Sequence, residues 1–242
     1  MVKFIVSIVV FIASVSACSA KPTDQIRVLM ITGVDHPAHH WMMTAPAIRE
    51  ILNHDERFEV RIVEMPEVLA TDLIFDFDLL FLHFKNNDAL IHEDVARANL
   101  ARFVREGGGL TVLHFACGAF EDWPEYSELA GRVWDRKNSH DPRGPFMVEI
   151  ADAEHVITTD MEDFPTDDEL YICLMGERPI TVLATAQSKV TGKQHPMAFV
   201  LEYGKGHVFH SSLGHDARAI QTPGTARLIR RGCAWAASRK PL

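Results

Sequence analysis

Gly107-Gly108-Gly109-Leu110-Thr111-Val112-Leu113-His114-Phe115-Ala116-Cys117-Gly118 is the stretch that decides the fold. Ahead of it, His92 to Glu106 carries Val95, Ala98, Leu100, Phe103 and Val104 at near-helical spacing, and the three glycines stop that helix. Leu110 to Phe115 then forms a short, β-rich apolar run, the pattern of a strand buried on both faces. A helix that hands over through glycine to a buried strand is half of a βαβ unit.

The same alternation extends upstream. Gln25 to Thr32 is a buried strand ending at Gly33, Pro46 to Leu52 has helical spacing, Phe58 to Val63 alternates like a strand, and Asp78 to Phe84 is another buried run. Strands alternating with helices cross over onto a parallel sheet. The class is therefore α/β: a flavodoxin-like, open, mostly parallel sheet with helices on both faces. Downstream, residues 146–150, 169–174, 180–184, 197–203 and 207–211 read as strands, and Gly204-Lys205-Gly206 joins the last two as a hairpin. Thr222 to Ser238 reads as a closing helix with Thr222 as N-cap and Pro223 at its first position.

The chain has 242 residues, 47% of them hydrophobic, enough for one ample core, and residues 21–242 read as a single domain. Residues 1–20 differ: a positive Lys3, an apolar run from Phe4 to Ala13 broken only by Ser7, then mostly small residues. That run is about half of the roughly 20 residues that span a bilayer, so it reads as an export signal. Its end, Val15-Ser16-Ala17-Cys18, resembles a bacterial lipobox, in which the cysteine takes a lipid; cleavage after Ala17 or Ala20 is the alternative. Both routes place the domain outside the cytoplasm, as a periplasmic protein or a membrane-anchored lipoprotein whose only membrane contact is the anchor. A net charge of −9 without basic clusters argues against nucleic acid as a partner. Cys117, Cys173 and Cys233 lie in apolar stretches without metal-ligand spacing and read as buried thiols.

In an open α/β sheet, ligands bind beyond the carboxyl ends of the strands. Three predicted strand ends carry histidine: Asp35-His36-Pro37-Ala38-His39-His40-Trp41, His114 with Cys117 behind it, and Gly214-His215-Asp216. Neutral imidazole is a metal ligand and a base, so the cluster suits a divalent metal, zinc or similar, or proton transfer. His36, His114 and His215 are the candidate ligands. His83 ends another strand but precedes Lys85-Asn86-Asn87, which reads as solvated, and His54, His92, His155 and His207 read as surface residues. Cys117 beside a histidine suggests a thiol nucleophile, but Phe115 and Ala119 stand where a tight elbow wants glycine. Of the acidic run Asp167-Asp168-Glu169, Glu169 is expected to point inward, because Leu170 and Tyr171 follow it.

Four stretches together, GGGLTVLHFACGAF, NSHDPRGPFMVEI, the DELY of Asp168 to Tyr171 and YGKGHVFHSSLGHD, resemble the ThuA-like, or trehalose-utilisation, family over residues 25–238. The resemblance implies a fold like class I glutamine amidotransferases without their cysteine-based triad, and a role in carbohydrate catabolism with keto-sugar intermediates among relatives. Carried over residue by residue, the matching positions are His114, Glu169, Gly214, His215 and Asp216, together with His36 and His140; the expected catalytic residues are His114, His215, Glu169 and Asp216, and the expected contacts to a small carbohydrate are His40, His140 and Tyr171. The chemistry expected is abstraction of the acidified C2 proton of a 3-keto-glycoside, followed by elimination or hydrolysis, which makes the protein a lyase or hydrolase. A non-catalytic sugar-binding lipoprotein, with Trp41, Trp123 and Trp134 as stacking platforms, and a Cys117-dependent amidase are the alternatives.

Overall fold

The computed structural model describes residues 24–242 except 138 and 173, so the leader with Cys18, and Cys173, lie outside the described residues. Its sheet has nine strands: β1 (Ile26–Ile31), β2 (Phe58–Val63), β3 (Leu79–Leu82), β4 (Gly109–Leu113), β6 (Gly144–Ile150), β7 (Phe164–Asp168), β9 (Thr181–Gln187), β10 (Gln194–Tyr203) and β11 (Gly206–Ser211). A separate short ribbon pairs β5 (Val133–Trp134) with β8 (Leu174–Met175). Across the large sheet the order is β2-β1-β3-β4-β11-β10-β9-β6-β7. The pairs from β2 to β11 are parallel and the four from β11 to β7 antiparallel.

Four successive reversals bring β7 back to the direction of β11. The carboxyl end of β7 therefore lies on the same edge as those of β1, β3, β4 and β11, which is how a late strand joins its loop to the histidine loops.

Both faces of the parallel half are covered, as its continuous apolar runs require. Alternate residues of β1 divide between two cores: Ile26, Val28 and Met30 pack with the helices α1 (Trp41–Leu52) and α5 (Pro223–Ala236), while Leu29 and Ile31 pack with α2 (Glu93–Arg105) and α3 (Pro124–Ala130). Gly33, with φ +102°, turns the chain out of β1, and a Cβ there would lie 2.2 Å from the Glu64 carbonyl oxygen, so only glycine fits.

Three elements differ from the sequence pattern. Helix α1 starts at Trp41, not Pro46, because the His40 carbonyl accepts the amides of Met43 and Thr44 and adds a turn ahead of the proline. Exposed Met42 and Met43 disguise that turn as non-periodic. The strand expected at 169–174 is split: β7 ends at Asp168, Glu169 and Leu170 follow as loop, Tyr171 makes an isolated antiparallel bridge to His140, and Leu174 belongs to β8. β7 is an edge strand, which accommodates Pro165, and its Phe164, Thr166 and Asp168 face inward in strict alternation. Thr222 holds the N-cap position of α5, but its hydroxyl donates to the Arg218 carbonyl instead of capping. Among the described residues no helix is long and apolar enough to cross a membrane.

Candidate functional site

Strand β4 ends at Leu113, two residues earlier than its apolar run suggests, because His114 opens a tight 3-10 turn at φ +49°. A β-carbon in the left-handed region is strained and tends to be kept where position matters. This is the strand-to-turn tip where α/β enzymes present a nucleophile. Here the tip carries imidazole.

The His114 ring is fully buried, and its Nδ1–H donates to the Ser212 carbonyl at 2.7 Å. That bond takes up Nδ1 and leaves Nε2 buried and without a hydrogen-bond partner. Nδ1 of His39 and Nδ1 of His215 are likewise buried and unpartnered. Glu169 meets them: Oε2 lies 3.0 Å from His215 Nδ1, out of hydrogen-bond alignment, and 3.6 Å from His114 Nε2. One ligand atom from each of His39, His114, Glu169 and His215 falls within 4.8 Å of the others.

The electrostatics suit a cation. Burial, reinforced by His114 and His215, pushes His39 down to about 2 and keeps it neutral. Burial also acts against charge on Glu169, but its contacts with His114 and His215 outweigh burial and hold the carboxyl well below the usual range. For His215, burial lowers the pKa, and the contact with Glu169 reverses the sign and raises it. Three imidazoles and one carboxylate form a donor set typical of zinc and related divalent metals.

Asp168 organises two of these ligands without touching the cluster. It is fully buried, and its Oδ2 accepts the Gly214 amide at 2.7 Å while Oδ1 accepts those of His215 and Glu169 at 3.0 and 2.8 Å. Burial dominates this carboxyl and raises its pKa. It ties the end of β7 to the loop after β11.

A cavity of about 160 Å³ opens beside the cluster, lined by His36, Ala38, His39, Lys85, Phe115, Gly118, Trp134, His140, Glu169 and Tyr171. The Tyr171 ring packs 4.3 Å from that of His114, and Nε2 of His140 lies 3.8 Å from Glu169 Oε1 while its Nδ1–H donates to the Asp141 carbonyl at 2.7 Å.

The structure thus brings His114, His215, Glu169, His140 and Tyr171 together and revises the others. His39, not His36, enters the cluster from the first loop. His36 stacks on it at 4.7 Å, accepts the Ala38 amide through Nδ1 and lines the cavity. His40 precedes α1, is exposed and does not line the cavity. Asp216 caps the helix α4 (Ala217–Gln221) by accepting the Ala219 amide at 2.9 Å and pairs with Arg143 at 2.5 Å, outside the cluster, whereas Glu169 points inward as expected and Asp168 is buried beside it. Cys117 is buried and does not line the cavity, which leaves its thiol no route to a substrate there.

His83 is buried against Thr32 at 3.2 Å. Lys85, read as solvated, instead reaches into the cavity wall, and Asn86 accepts the Phe120 amide at 2.9 Å. His54 and His92 are exposed as expected, whereas His155 and His207 are half-buried against Trp235, His207 stacked at 4.6 Å. Of the tryptophans, Trp134 lines the cavity, Trp123 packs on Phe120 and Tyr126, and Trp41 donates to Asp35.

A glutamine amidotransferase-like sheet whose elbow presents a histidine inside a histidine–carboxylate cluster, in place of a thiol, defines the class of protein. The likeness of fold extends to the glutaminase domain of Trypanosoma brucei CTPS, with a TM-score of 0.54 at 10% identity, covering 89% of this chain and 95% of that one. The family model described as "ThuA: Trehalose utilisation" matches residues 27–236, and the chain belongs to that family, which places it in carbohydrate metabolism. A putative ThuA-like protein from Parabacteroides merdae is 25% identical with a TM-score of 0.80, covering 88% of this chain and 90% of that one. Another from Bacteroides uniformis is 17% identical with a TM-score of 0.70, over 93% and 98%. Comparison with curated proteins finds no match.

Proposed function

We propose that the protein is a metal-dependent lyase or hydrolase acting on 3-keto-glycosides, with a divalent metal, zinc or similar, held by His39, His114, His215 and Glu169. The observation that carries this reading is the convergence of three buried, unpartnered imidazole nitrogens on one carboxylate. Orphaned buried polar atoms are expensive, by about 1–3 kcal/mol each, and a shared cation satisfies all of them at once. The Nδ1–H of His114 on a backbone carbonyl is also the outer contact that orients a metal-bound histidine.

A bound metal supplies Lewis-acid stabilisation of charge on the sugar's keto oxygen. The chain's own residues move the proton. The Nδ1 bond of His140 to the Asp141 carbonyl leaves its Nε2 as the base at the cavity wall. His140 takes the C2 proton, the C–H electron pair becomes the C2–C3 double bond, and the C3 oxygen takes the negative charge. On collapse the C1–O bond to the aglycone breaks, and the departing oxygen takes the proton back from His140. His36, whose Nδ1 accepts the Ala38 amide and whose pKa is lowered by burial and by Lys85, offers Nε2–H as a donor to the substrate. With His114 and His215 engaged as ligands, His140 is the better base.

The export reading of residues 1–20 belongs to the same proposal and puts this chemistry outside the cytoplasm. The test is metal analysis of the purified protein together with turnover of a 3-keto-glycoside panel. About one zinc per chain, and loss of turnover in His140→Gln with the metal retained, is the expected result. A protein that takes up no divalent metal, or leaves every 3-keto-glycoside unchanged when loaded, overturns the reading.

A further inference from the structure

Beside the cluster, the wall of the same cavity has a chemistry of its own. There the Lys85 ammonium lies 5.8 Å from the centroid of the Trp134 ring, and Trp134 is buttressed edge-on by Tyr171 at 4.9 Å. Lys85 is held by two features. Its ammonium pairs with Glu121 Oε1 at 2.7 Å, the two side chains being only 19% and 15% exposed. Its stem runs over Gly118, where a Cβ would meet Lys85 Cδ and Cε at 3.0 and 3.2 Å, so the absent side chain is what lets the lysine lie flat along the wall. Glu121 is in turn paired with Arg136, whose side chain is mostly in solvent.

We infer that Trp134 and Lys85 form the subsite that holds the sugar ring: one neutral pyranose stacks its C–H face on Trp134 and accepts hydrogen bonds from Lys85, with its reacting edge toward Glu169. The inference rests on the proposed function for its sugar, and on three independent observations for its chemistry. The indole of Trp134 lines the cavity and offers a flat apolar surface with the geometry of a pyranose face. The ammonium carries three donors, and Glu121 meets it as an ion pair without taking a hydrogen bond in good geometry, which leaves protons for ring oxygens. The cavity, at about 160 Å³, lies below the roughly 300–1,000 Å³ of pockets for drug-sized ligands, so it encloses one ring and leaves the aglycone at the mouth.

Glu121 makes the subsite selective. By meeting the Lys85 charge inside the wall it turns the lysine from a carboxylate trap into a hydrogen-bond donor. A neutral glycoside is accepted, and a uronate, whose carboxylate would face Glu121, is disfavoured.

The experiment is titration of methyl α-glucoside and glucuronate, followed by calorimetry or ligand-observed NMR, against metal-loaded and chelator-treated protein. Trp134→Ala and Lys85→Met are expected to weaken methyl α-glucoside binding by about tenfold or more each while metal content stays that of the wild type, with melting curves used to confirm that each variant is folded at the titration temperature. Glu121→Gln is expected to shift the glucuronate-to-glucoside preference by at least about tenfold toward the uronate, a readout that simple loosening of the wall would not move. Unchanged glucoside binding in Trp134→Ala and Lys85→Met, or no binding by the wild type with or without metal, overturns the subsite. Sugar binding through Trp134 in a protein that takes no metal would sustain the subsite and overturn the metal reading alone.

Discussion

His39 and His40 are neighbours in sequence and opposites in role. His39 is buried among the other imidazoles with an unpartnered nitrogen, and His40 sits in solvent ahead of α1. His39→Ala, His114→Ala and His215→Ala should each lower metal affinity by at least about hundredfold, measured by competition with a chromogenic chelator, while His40→Ala leaves it unchanged. An equal loss in His40→Ala would mean that the loop, not the donor set, governs binding. That three histidines stand near a strand end was legible in the sequence; which of them turns inward was not. In strands and helices, spacing fixes facing. In the irregular loop through Pro37 no such period exists, and the direction of each ring depends on the packing of His39 on Phe115 at 4.5 Å.

At the scale of elements, the ligands are held by a contact between strand ends. Asp168 closes β7 and accepts the amides of Gly214 and His215 from the loop after β11, so it aligns Glu169 and His215 together. Asp168→Asn replaces one acceptor oxygen by a donor facing those amides and should weaken metal binding by about 10- to 100-fold. Asp216→Ala should cost about 1 kcal/mol through the lost α4 cap with metal affinity intact. Chelator competition and thermal melts on the two variants separate these outcomes, and a metal loss in Asp216→Ala matching that in Asp168→Asn would refute the assignment. The parallel half of the sheet was readable because β1, β3 and β4 are continuous apolar runs, with glycine after β1 and before β4, and β2 alternates as an edge strand does. β7 was not: Phe-Pro-Thr-Asp-Asp has the alternation of an edge strand, but its inward Thr166 and Asp168 are polar. Its apolar neighbours Leu170 and Tyr171, which mark DELY as a strand, instead pack as loop under the cavity.

Across the whole molecule, the same sheet that gathers histidines at its edge also buries two that the proposed chemistry does not use. His210, inside β11, gives its Nδ1–H to the Ala130 carbonyl at 2.9 Å, and burial pushes it down to about 4. Burial likewise pushes His83, beside Thr32, down to about 3. Both are neutral in the folded protein, whereas in the unfolded chain they titrate near 6.5. Above that value neither state binds the proton and stability is independent of it. Below it the unfolded chain takes protons that the folded one refuses, so stability falls with pH until the folded values are reached. For His210 alone the loss is about 2 kcal/mol by pH 5, since each unit of displaced titration is worth about 1.4 kcal/mol. Urea midpoints of the chelator-treated protein at pH 7.5 and pH 5 should therefore differ markedly. His210→Gln, which keeps an N–H for Ala130 but cannot titrate, should reduce that difference by about 2 kcal/mol, His83 keeping its own share, while being somewhat less stable at pH 7.5. Equal pH dependence in the variant and the wild type would show that the acid sensitivity arises elsewhere, because glutamine preserves the hydrogen bond and removes only the proton.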